Sequence, residues 1–248
     1  MRFFILSDIH SNIEALQACI RRAKLAGYDA VFCCGDLVGY GPNPVEAIDA
    51  VRELNAITIR GNHDRAAVSD GETPEFNPHA RRAVFWTRSV LPDSYRNYLA
   101  SLPLGPLAIA ADSQLVHGAI THEDDYIFTG ADAAENLRLA EKRITFFGHS
   151  HFPAVFASDS YGNPVTPPTY EFDEFTAVRC DNNQKFLINP GSVGQPRDGD
   201  SRASFLIWDQ VRARLEFYRV EYNVELTQKK MRDVQLPLYL IERLSHGR

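Results

Sequence analysis

The stretch FFILSDIHSNIEALQACIRRAKLAGYDAVFCCGD, residues 3–36, decides the fold. It consists of a short apolar run, an amphipathic segment and a second apolar run. This order predicts a β-α-β unit with parallel strands. Ser11 followed by Glu14 predicts a capping box at the start of the helix, and Gly27 marks its end. An aspartate follows each apolar run, at the point where loops of a parallel sheet gather polar groups around a ligand.

The alternation of strands and helices continues from this unit to about residue 147. The next helix is predicted over 45–54, with Asn43 and Glu46 as a capping box and Pro44 in the first turn. From Ala154 onward short strands dominate, and they suggest a second sheet. Residues 159–168 contain one glycine and three prolines and therefore predict a surface loop or lid.

The chain is expected to form a single domain over residues 1–248. Its C-terminal segment, residues 223–248, is predicted to be helical, to pack on the rest of the domain and to cover a sheet edge. A homodimer could form through these C-terminal helices.

Composition restricts the classes of function. The 248 residues include 26 basic and 32 acidic side chains, for a net charge of −6, which argues against binding of a long nucleic acid. No apolar run reaches the ~20 residues of a membrane-spanning helix, and the N-terminal run is too short for a signal peptide. The four cysteines lack the paired spacing of a zinc site, so we expect reduced thiols and a cytoplasmic protein.

Five of the eight histidines follow predicted strands directly, next to Asp, Asn or Gly: His10, His63, His117, His149 and His151. Asp8 and His10 are two residues apart on an extended chain, so their side chains point to the same side and can share one cation. Asp36, after Gly35, has two oxygens and could bridge two metals. Taken singly, these positions have a structural alternative: a capping aspartate, a surface histidine or a histidine in the core.

The motif Gly61-Asn62-His63-Asp64 carries more information. Asn62 offers an amide oxygen as a ligand, and His63 beside Asp64 could transfer a proton instead of binding metal. A tight turn with a solvent-facing histidine is the alternative. Together with the imidazoles of Gly148-His149-Ser150-His151, the chain offers two carboxylates, four imidazoles and one amide. This set exceeds one tetrahedral zinc site and suits two adjacent cations.

In this order the motifs resemble those of the calcineurin-like metallophosphoesterases. The resemblance runs from residue 1 to about 205 and includes Asn189-Pro190-Gly191-Ser192 and the loop at 195–198. It implies an α/β (α+β) four-layer sandwich of two mixed β-sheets flanked by helices. It further implies one metal held by Asp8, His10, Asp36 and His151, a second held by Asp36, Asn62, His117 and His149, and His63 as the catalytic histidine. From its place beside His63, we expect Asp64 to orient the His63 ring.

One departure bears on the substrate. The protein phosphatases of this family follow the Gly-Asp motif with an arginine that grips phosphate, whereas this chain continues Leu37-Val38-Gly39-Tyr40-Gly41. The sequence is therefore more similar to the small bacterial and archaeal phosphoesterases, including diesterases and relatives of dinucleoside polyphosphatases. We expect a dinuclear metal-dependent phosphoesterase that hydrolyses a small phosphodiester or nucleotide with metal-activated water.

Three alternatives remain open: a phosphomonoesterase or dinucleoside polyphosphate hydrolase of the same family, a nuclease, and a non-catalytic scaffold that binds a partner protein. Nitrogen and oxygen donors without sulfur indicate Mn and/or Fe, with Zn, Co and Ni as alternatives. Arg197, Asn12 and Tyr40 are candidate substrate contacts. Arg202, His79 and His122 are weaker candidates, and a solvated charge is the alternative for both arginines.

Overall fold

The N-terminal unit forms as the sequence predicts. The computed structural model describes residues 1–69, 71, 73, 76–159, 163–165 and 172–248. Three short strands pair in parallel, with a helix after each of the first two. The elements are β1 (Arg2–Leu6), α1 (Ile13–Ala26), β2 (Ala30–Cys33), α2 (Pro44–Glu53) and β3 (Ile57–Thr58).

The helix caps correct two details of the prediction. The N-cap of α1 is Asn12, whose Oδ1 accepts a hydrogen bond from the Ala15 N–H at 3.2 Å. Ser11 cannot cap this helix because it lies in the preceding turn with φ +55°. Asn43 does precede α2, but its Nδ2 donates to the Glu46 carboxylate at 2.9 Å instead of its oxygen accepting from the helix backbone. Neither predicted capping box forms.

The remaining elements match the predicted segments to within about three residues at their ends, except a helix at 62–68 and a strand at 164–165, which were not predicted. They are α3 (Asn62–Val68), α4 (Pro78–Val90), α5 (Asp93–Ser101), β4 (Leu107–Ala108), β5 (Ser113–Leu115), α6 (Gly130–Leu139), β6 (Ile144–Phe146), β7 (Ala154–Ser158), β8 (Pro164–Val165), β9 (Phe175–Arg179), β10 (Phe186–Asn189), β11 (Ala203–Asp209), β12 (Arg214–Val220), α7 (Val224–Asp233), α8 (Leu238–Glu242) and a 3₁₀ turn (Arg243–His246). In the predicted loop at 159–168, residues 163–165 contribute β8, which pairs with β7. The rest of that loop after Asp159 lies outside the described residues.

Across the described residues, the strands form two six-stranded mixed sheets. Their orders are β3-β2-β1-β11-β12-β9 and β4-β5-β6-β10-β7-β8. The strands after Ala154 therefore do not form a sheet of their own, which corrects the prediction. β11 pairs antiparallel with β1, and every residue of β11 is buried, as expected for a strand covered on both faces. β1 gains its second neighbour in this way.

The core confirms the four-layer sandwich of two mixed sheets. Side chains of the two sheets meet in one apolar cluster, with Phe3 and Trp208 from the first sheet and Phe146 and Ile188 from the second. Helices α1 and α2 cover the outer face of the first sheet, and α6 covers the outer face of the second. The C-terminal helices pack on α4 and α1 instead of covering a sheet edge. None of the helices in the described ranges has the length and apolar character needed to cross a membrane.

Candidate metal centre

The sandwich brings the seven predicted ligands together at one end. The loops that carry them follow β1, β2, β3, β5 and β6, and these strands run in parallel pairs within their sheets. Two buried groups of donor atoms result, and within each group the atoms lie no more than 4.8 Å apart: Asp8, His10, Asp36 and His151 form one, and Asp36, His117 and His149 form the other. The amide oxygen of Asn62 lies 3.0 Å from His117 Nε2 and joins the second group.

Asp36 belongs to both groups. Its Oδ2 lies 3.6 Å from His10 Nε2 and 3.4 Å from His117 Nε2. This oxygen is buried and lacks a hydrogen bond of ordinary geometry to any described residue. Its Oδ1 accepts the backbone N–H of His63 at 2.8 Å, which fixes the carboxylate. One carboxylate oxygen is thus left between the two sets of imidazoles.

Backbone carbonyls orient the imidazole rings. In three rings Nδ1 lies within hydrogen-bond distance of a carbonyl oxygen: His10 with Val38 at 3.1 Å, His117 with Cys34 at 2.8 Å and His151 with Gln195 at 2.6 Å. A proton on Nδ1 leaves the lone pair of Nε2 facing the cluster, as is usual for metal-ligating histidines. His149 is reversed, because the Asp124 carbonyl lies 3.0 Å from Nε2 and leaves Nδ1 for ligation.

The backbone is strained at the same positions. Five of the seven candidate ligands have positive φ angles between 48° and 64°: Asp8, His10, Asp36, His149 and His151. Such a conformation costs a non-glycine residue about 1–3 kcal/mol, and it persists only where the surrounding structure enforces it. Here the Asp8 N–H donates to the Gly35 carbonyl at 3.1 Å and the His10 N–H to the Asp36 carbonyl at 3.0 Å. The two ligand loops therefore hold each other in place.

Two glycines allow the loops to approach the carboxylates closely. A Cβ on Gly61 would lie 2.1 Å from Asp36 Oδ1, and a Cβ on Gly148 would lie 2.7 Å from Asp8 Oδ2. Gly61 has φ −101°, so alanine could adopt its backbone conformation. The requirement for glycine at position 61 is therefore one of space alone.

Replacing Gly61 by alanine is expected to weaken metal binding by more than about ten-fold without removing a ligand, because the methyl group displaces the Asp36 carboxylate. Mn²⁺ affinity is measured by calorimetry. Gly130→Ala is the matched control, since a Cβ there meets no atom of the described residues within 4 Å. Equal affinities of the Gly61→Ala variant and the original protein would contradict the assigned role of Asp36.

Burial and charge set the protonation of the centre. Burial lowers the pKa of His149 to about 3 and holds the pKa values of His10 and His151 well below the ordinary range, so these three rings are neutral. Burial also disfavours the cation of His117, but the Asp36 carboxylate outweighs it and raises the pKa of His117 to about 10. Despite burial, the His117 charge holds the pKa of Asp36 well below its usual value.

The donor set fits divalent first-row metal ions. Neutral imidazoles, carboxylates and an amide supply nitrogen and oxygen ligands without sulfur. Asp36 Oδ2 is buried without a hydrogen bond to any described residue, and a bound cation would satisfy it. The two groups that share Asp36 could hold one cation each.

Metal binding is expected to release protons and to strengthen as pH rises from 6 to 8. His117 must lose a proton before it can bind a cation, and its pKa of about 10 keeps it protonated in the metal-free protein at neutral pH. Adding Mn²⁺ to metal-free protein in weak buffer with a pH indicator measures the release. An affinity that stays constant over this pH range, with no proton released, would contradict the assignment of His117 as a ligand.

His63 stands beside the cluster at the start of α3. Its ring packs against Tyr40, Phe76 and His10, with centroid distances of 4.3, 4.7 and 4.8 Å. Its Nδ1 is buried against Gly39 and has no hydrogen-bond partner among the described residues, so Nε2 is the nitrogen available to a ligand in the cavity. Burial lowers the pKa of His63 to about 4.

Asp64 does not orient this ring, which corrects the expectation. Its carboxylate oxygens accept the backbone N–H groups of Asp36 at 2.9 Å, Gly61 at 3.0 Å and Val38 at 3.2 Å. The Asp64 side chain thus ties the loop after β2 to the start of α3. Aromatic packing holds the His63 ring instead.

A cavity of about 130 Å³ opens over the cluster, and two of the three predicted substrate contacts, Arg197 and Tyr40, line it. Arg197 Nη2 lies 3.3 Å from both Tyr40 Oη and Gln195 Oε1. Its Nε is buried without a partner among the described residues, so the guanidinium is not a solvated surface charge. Asn12 caps α1 and donates to the Gly194 carbonyl at 2.9 Å, and it is absent from this lining.

The weaker candidates lie away from this cavity. Arg202 pairs with Asp200 and Asp173, and exposed His79 stacks on Tyr239. Exposed His122 lies 4.0 Å from the Asp124 carboxylate. Five further lining residues were not predicted as site residues: Asn77 and Ala80 at the start of α4, and Phe76, Asp124 and Tyr126 in irregular segments. No sequence motif marks these residues as part of the site. For Tyr126 alone, the pattern Tyr126-Ile127-Phe128, with an apolar residue between two aromatic ones, could have served as a signal.

Comparison with known proteins gives consistent matches. A family model described as the calcineurin-like phosphoesterase superfamily domain matches residues 1–212. The crystal structure of a metallophosphoesterase from Sphaerobacter thermophilus is 38% identical with a TM-score of 0.85, covering 100% of this chain and 99% of that one. A protein of Methanocaldococcus jannaschii described as uncharacterized is 35% identical over 98% of this chain and 97% of its own. The symmetrical bis(5'-nucleosyl)-tetraphosphatase of Cronobacter sakazakii is 27% identical over 65% of this chain and 52% of that enzyme.

Proposed function

Because the chain belongs to the calcineurin-like phosphoesterase superfamily, we propose that it is a dinuclear metal-dependent hydrolase of a small phosphodiester or nucleotide. The observation that carries the proposal is the shared Asp36 Oδ2, which is buried between the two groups of imidazoles and has no hydrogen bond to any described residue. No predicted ligand is displaced from the centre, which argues against a scaffold that has lost its chemistry.

The two groups of residues would hold one cation each, with Asp36 between them. When bound, a pair of divalent cations lowers the pKa of coordinated water and neutralises phosphoryl oxygens. Asp8 and Asp36 compensate only two of the four positive charges of such a pair. An anion-binding centre therefore results within a chain of net charge −6.

The chain's own residues would position the substrate and supply a proton. The Arg197 guanidinium, with its unpartnered Nε and its Nη2 beside Tyr40, would bind a phosphoryl oxygen that does not react. His63 Nε2 would donate a proton to the leaving oxygen. The phosphate dianion or monoanion would favour the imidazolium, against the burial that lowers the pKa of His63 to about 4.

A second candidate is hydrolysis of a dinucleoside polyphosphate. Similarity to the symmetrical tetraphosphatase of Cronobacter sakazakii favours it, and that similarity covers 65% of this chain. Both candidates place a phosphoryl group at the same centre. They differ in the length of the phosphate chain that the cavity and Arg197 must accommodate.

A Mn²⁺-supplemented comparison of three substrates tests the proposal: bis(p-nitrophenyl) phosphate, p-nitrophenyl phosphate and diadenosine tetraphosphate. We expect hydrolysis of the diester, measured as nitrophenolate release, that is lost on chelation and restored by Mn²⁺. Preference for diadenosine tetraphosphate would replace the first candidate by the second. A protein that binds two metal ions and hydrolyses none of the three would contradict both.

A further inference from the structure

Three aromatic side chains lie exposed in a row at the edge of the metal centre. Tyr126 is 46% exposed, Phe128 52% and Phe152 38%. We call these three residues the aromatic ladder. Contiguous exposed rings of this size are unusual on a protein surface, and they commonly mark a binding site.

The ladder begins at a candidate metal ligand. The Tyr126 ring stacks on the His149 imidazole, with centroids 4.0 Å apart and planes 21° apart. Phe128 stacks on Tyr126 at 5.1 Å and 14°, and Phe152 meets Phe128 edge-on at 5.8 Å and 85°. The row of rings therefore extends outward from the cluster in steps of a single ring.

The surrounding fold fixes the ladder relative to the ligands. Ile127 lies between Tyr126 and Phe128 in the sequence, is 2% exposed and packs in the apolar cluster under α6. Its two neighbours in the chain therefore point outward. Phe152 follows the candidate ligand His151 directly in the chain. Side chains fixed in this way lose little conformational freedom when a ligand stacks on them.

Tyr126 also lines the cavity, together with the charged group that would take phosphate. Arg197, Tyr126 and His149 all belong to its lining. An ester with its phosphorus at the centre would thus direct a substituent either toward solvent or along the ladder. Tyr126 already stacks on His149 and on Phe128, so the planar, apolar contact for a substituent comes from Phe128 and Phe152, which carry no side-chain charge.

We propose that the aromatic ladder binds the nucleobase of a nucleoside phosphate ester by stacking. The inference deepens the proposed function, because it takes from it the position of the phosphoryl group and adds the chemical class of the substituent. Base-on-aromatic stacking tolerates any base, so the ladder selects for nucleotides over alkyl phosphates without selecting among bases.

Binding of AMP and ribose 5-phosphate to the Mn²⁺-loaded protein tests this inference. The two compounds carry the same phosphate and sugar and differ in the base, and equilibrium dialysis gives both dissociation constants while the recovered compound is checked for hydrolysis. We expect AMP to bind at least about five-fold more tightly. In the variant Phe128→Ala/Phe152→Ala this ratio is expected to fall below two-fold, whereas Phe128→Tyr keeps it. Phe175→Ala, which removes a 48% exposed ring on β9 outside the cavity lining, is the control and also keeps it.

Equal affinities for AMP and ribose 5-phosphate would overturn the inference, as would a preference for AMP that survives in the double variant, or no binding of either compound. A preference that survives in the double variant would mean that the base binds elsewhere and that the aromatic ladder contacts another ligand, such as a protein. Thermal unfolding of each variant shows that it is folded. If the protein prefers AMP but hydrolyses no phosphate ester, the proposed function is refuted and the proposal of base binding is retained. Failure of one proposal is thus distinguishable from failure of the other.

Discussion

Replacing Asp36 by asparagine is expected to abolish binding of both metal ions and to lower hydrolysis of a phosphodiester by about 10³-fold or more. The Asp36 Oδ2 lies between the two groups of imidazoles, at 3.6 Å from His10 Nε2 and 3.4 Å from His117 Nε2. Asparagine has nearly the same shape but loses the negative charge. Its amide can accept the His63 N–H as Oδ1 does, so the fold is expected to persist.

Metal content by elemental analysis and diesterase rate measure this effect. The matched control is Asp125→Asn, because Asp125 is an exposed carboxylate in a loop beside the cavity. We expect two metal ions per chain in the control and none held through dialysis in Asp36→Asn. Retention of two metal ions by the Asp36→Asn protein would contradict the shared role of this carboxylate.

Replacing His63 by alanine is expected to lower the rate with poor leaving groups by about 10²–10⁴-fold, and less with activated aryl esters. The reason is that a nitrophenolate departs without help, whereas an alkoxide needs a proton. His63 lies at the cavity, with its ring held by Tyr40 and Phe76 and its Nδ1 turned away toward Gly39. No candidate metal-binding atom is removed, so the metal content should stay at two.

Rates with a methyl nucleotide diester and with bis(p-nitrophenyl) phosphate provide the comparison, and His79→Ala removes an exposed imidazole as the control. Equal losses on both substrates would exclude His63 as the general acid. Loss of metal from the His63→Ala protein would instead assign the residue to the support of the centre. Thermal unfolding detects any cavity left between the aromatic rings.

The clustering of the candidate ligands could be predicted because each of them belongs to a short motif placed directly after a strand. Asp8-x-His10 and His149-x-His151 need only local chain geometry and the rule that parallel strands end at a common edge. The pairing of the strands within the two sheets was harder to predict from the sequence. β11 enters beside β1 through antiparallel pairing across some 200 residues, and buried strands carry no local sign of their partner.

Side-chain roles that depend on distant backbone could not be predicted. Asp64 follows His63 in the sequence, but the N–H groups that it accepts come from Asp36 and Val38, on the loop after another strand. For Arg197 the sequence left a substrate contact and a solvated charge as alternatives, and only the folded cavity shows its buried Nε. Tyr126 reaches His149 from a loop without any motif.

Anomalous diffraction from crystals grown with Mn²⁺ tests the central claim most directly, because it locates each metal ion independently of activity. The account predicts two peaks about 3.5–4 Å apart, both within bonding distance of Asp36 and each contacted by its own group of imidazoles. A single peak away from Asp36, or no peak at this end of the sandwich despite excess Mn²⁺, would contradict it.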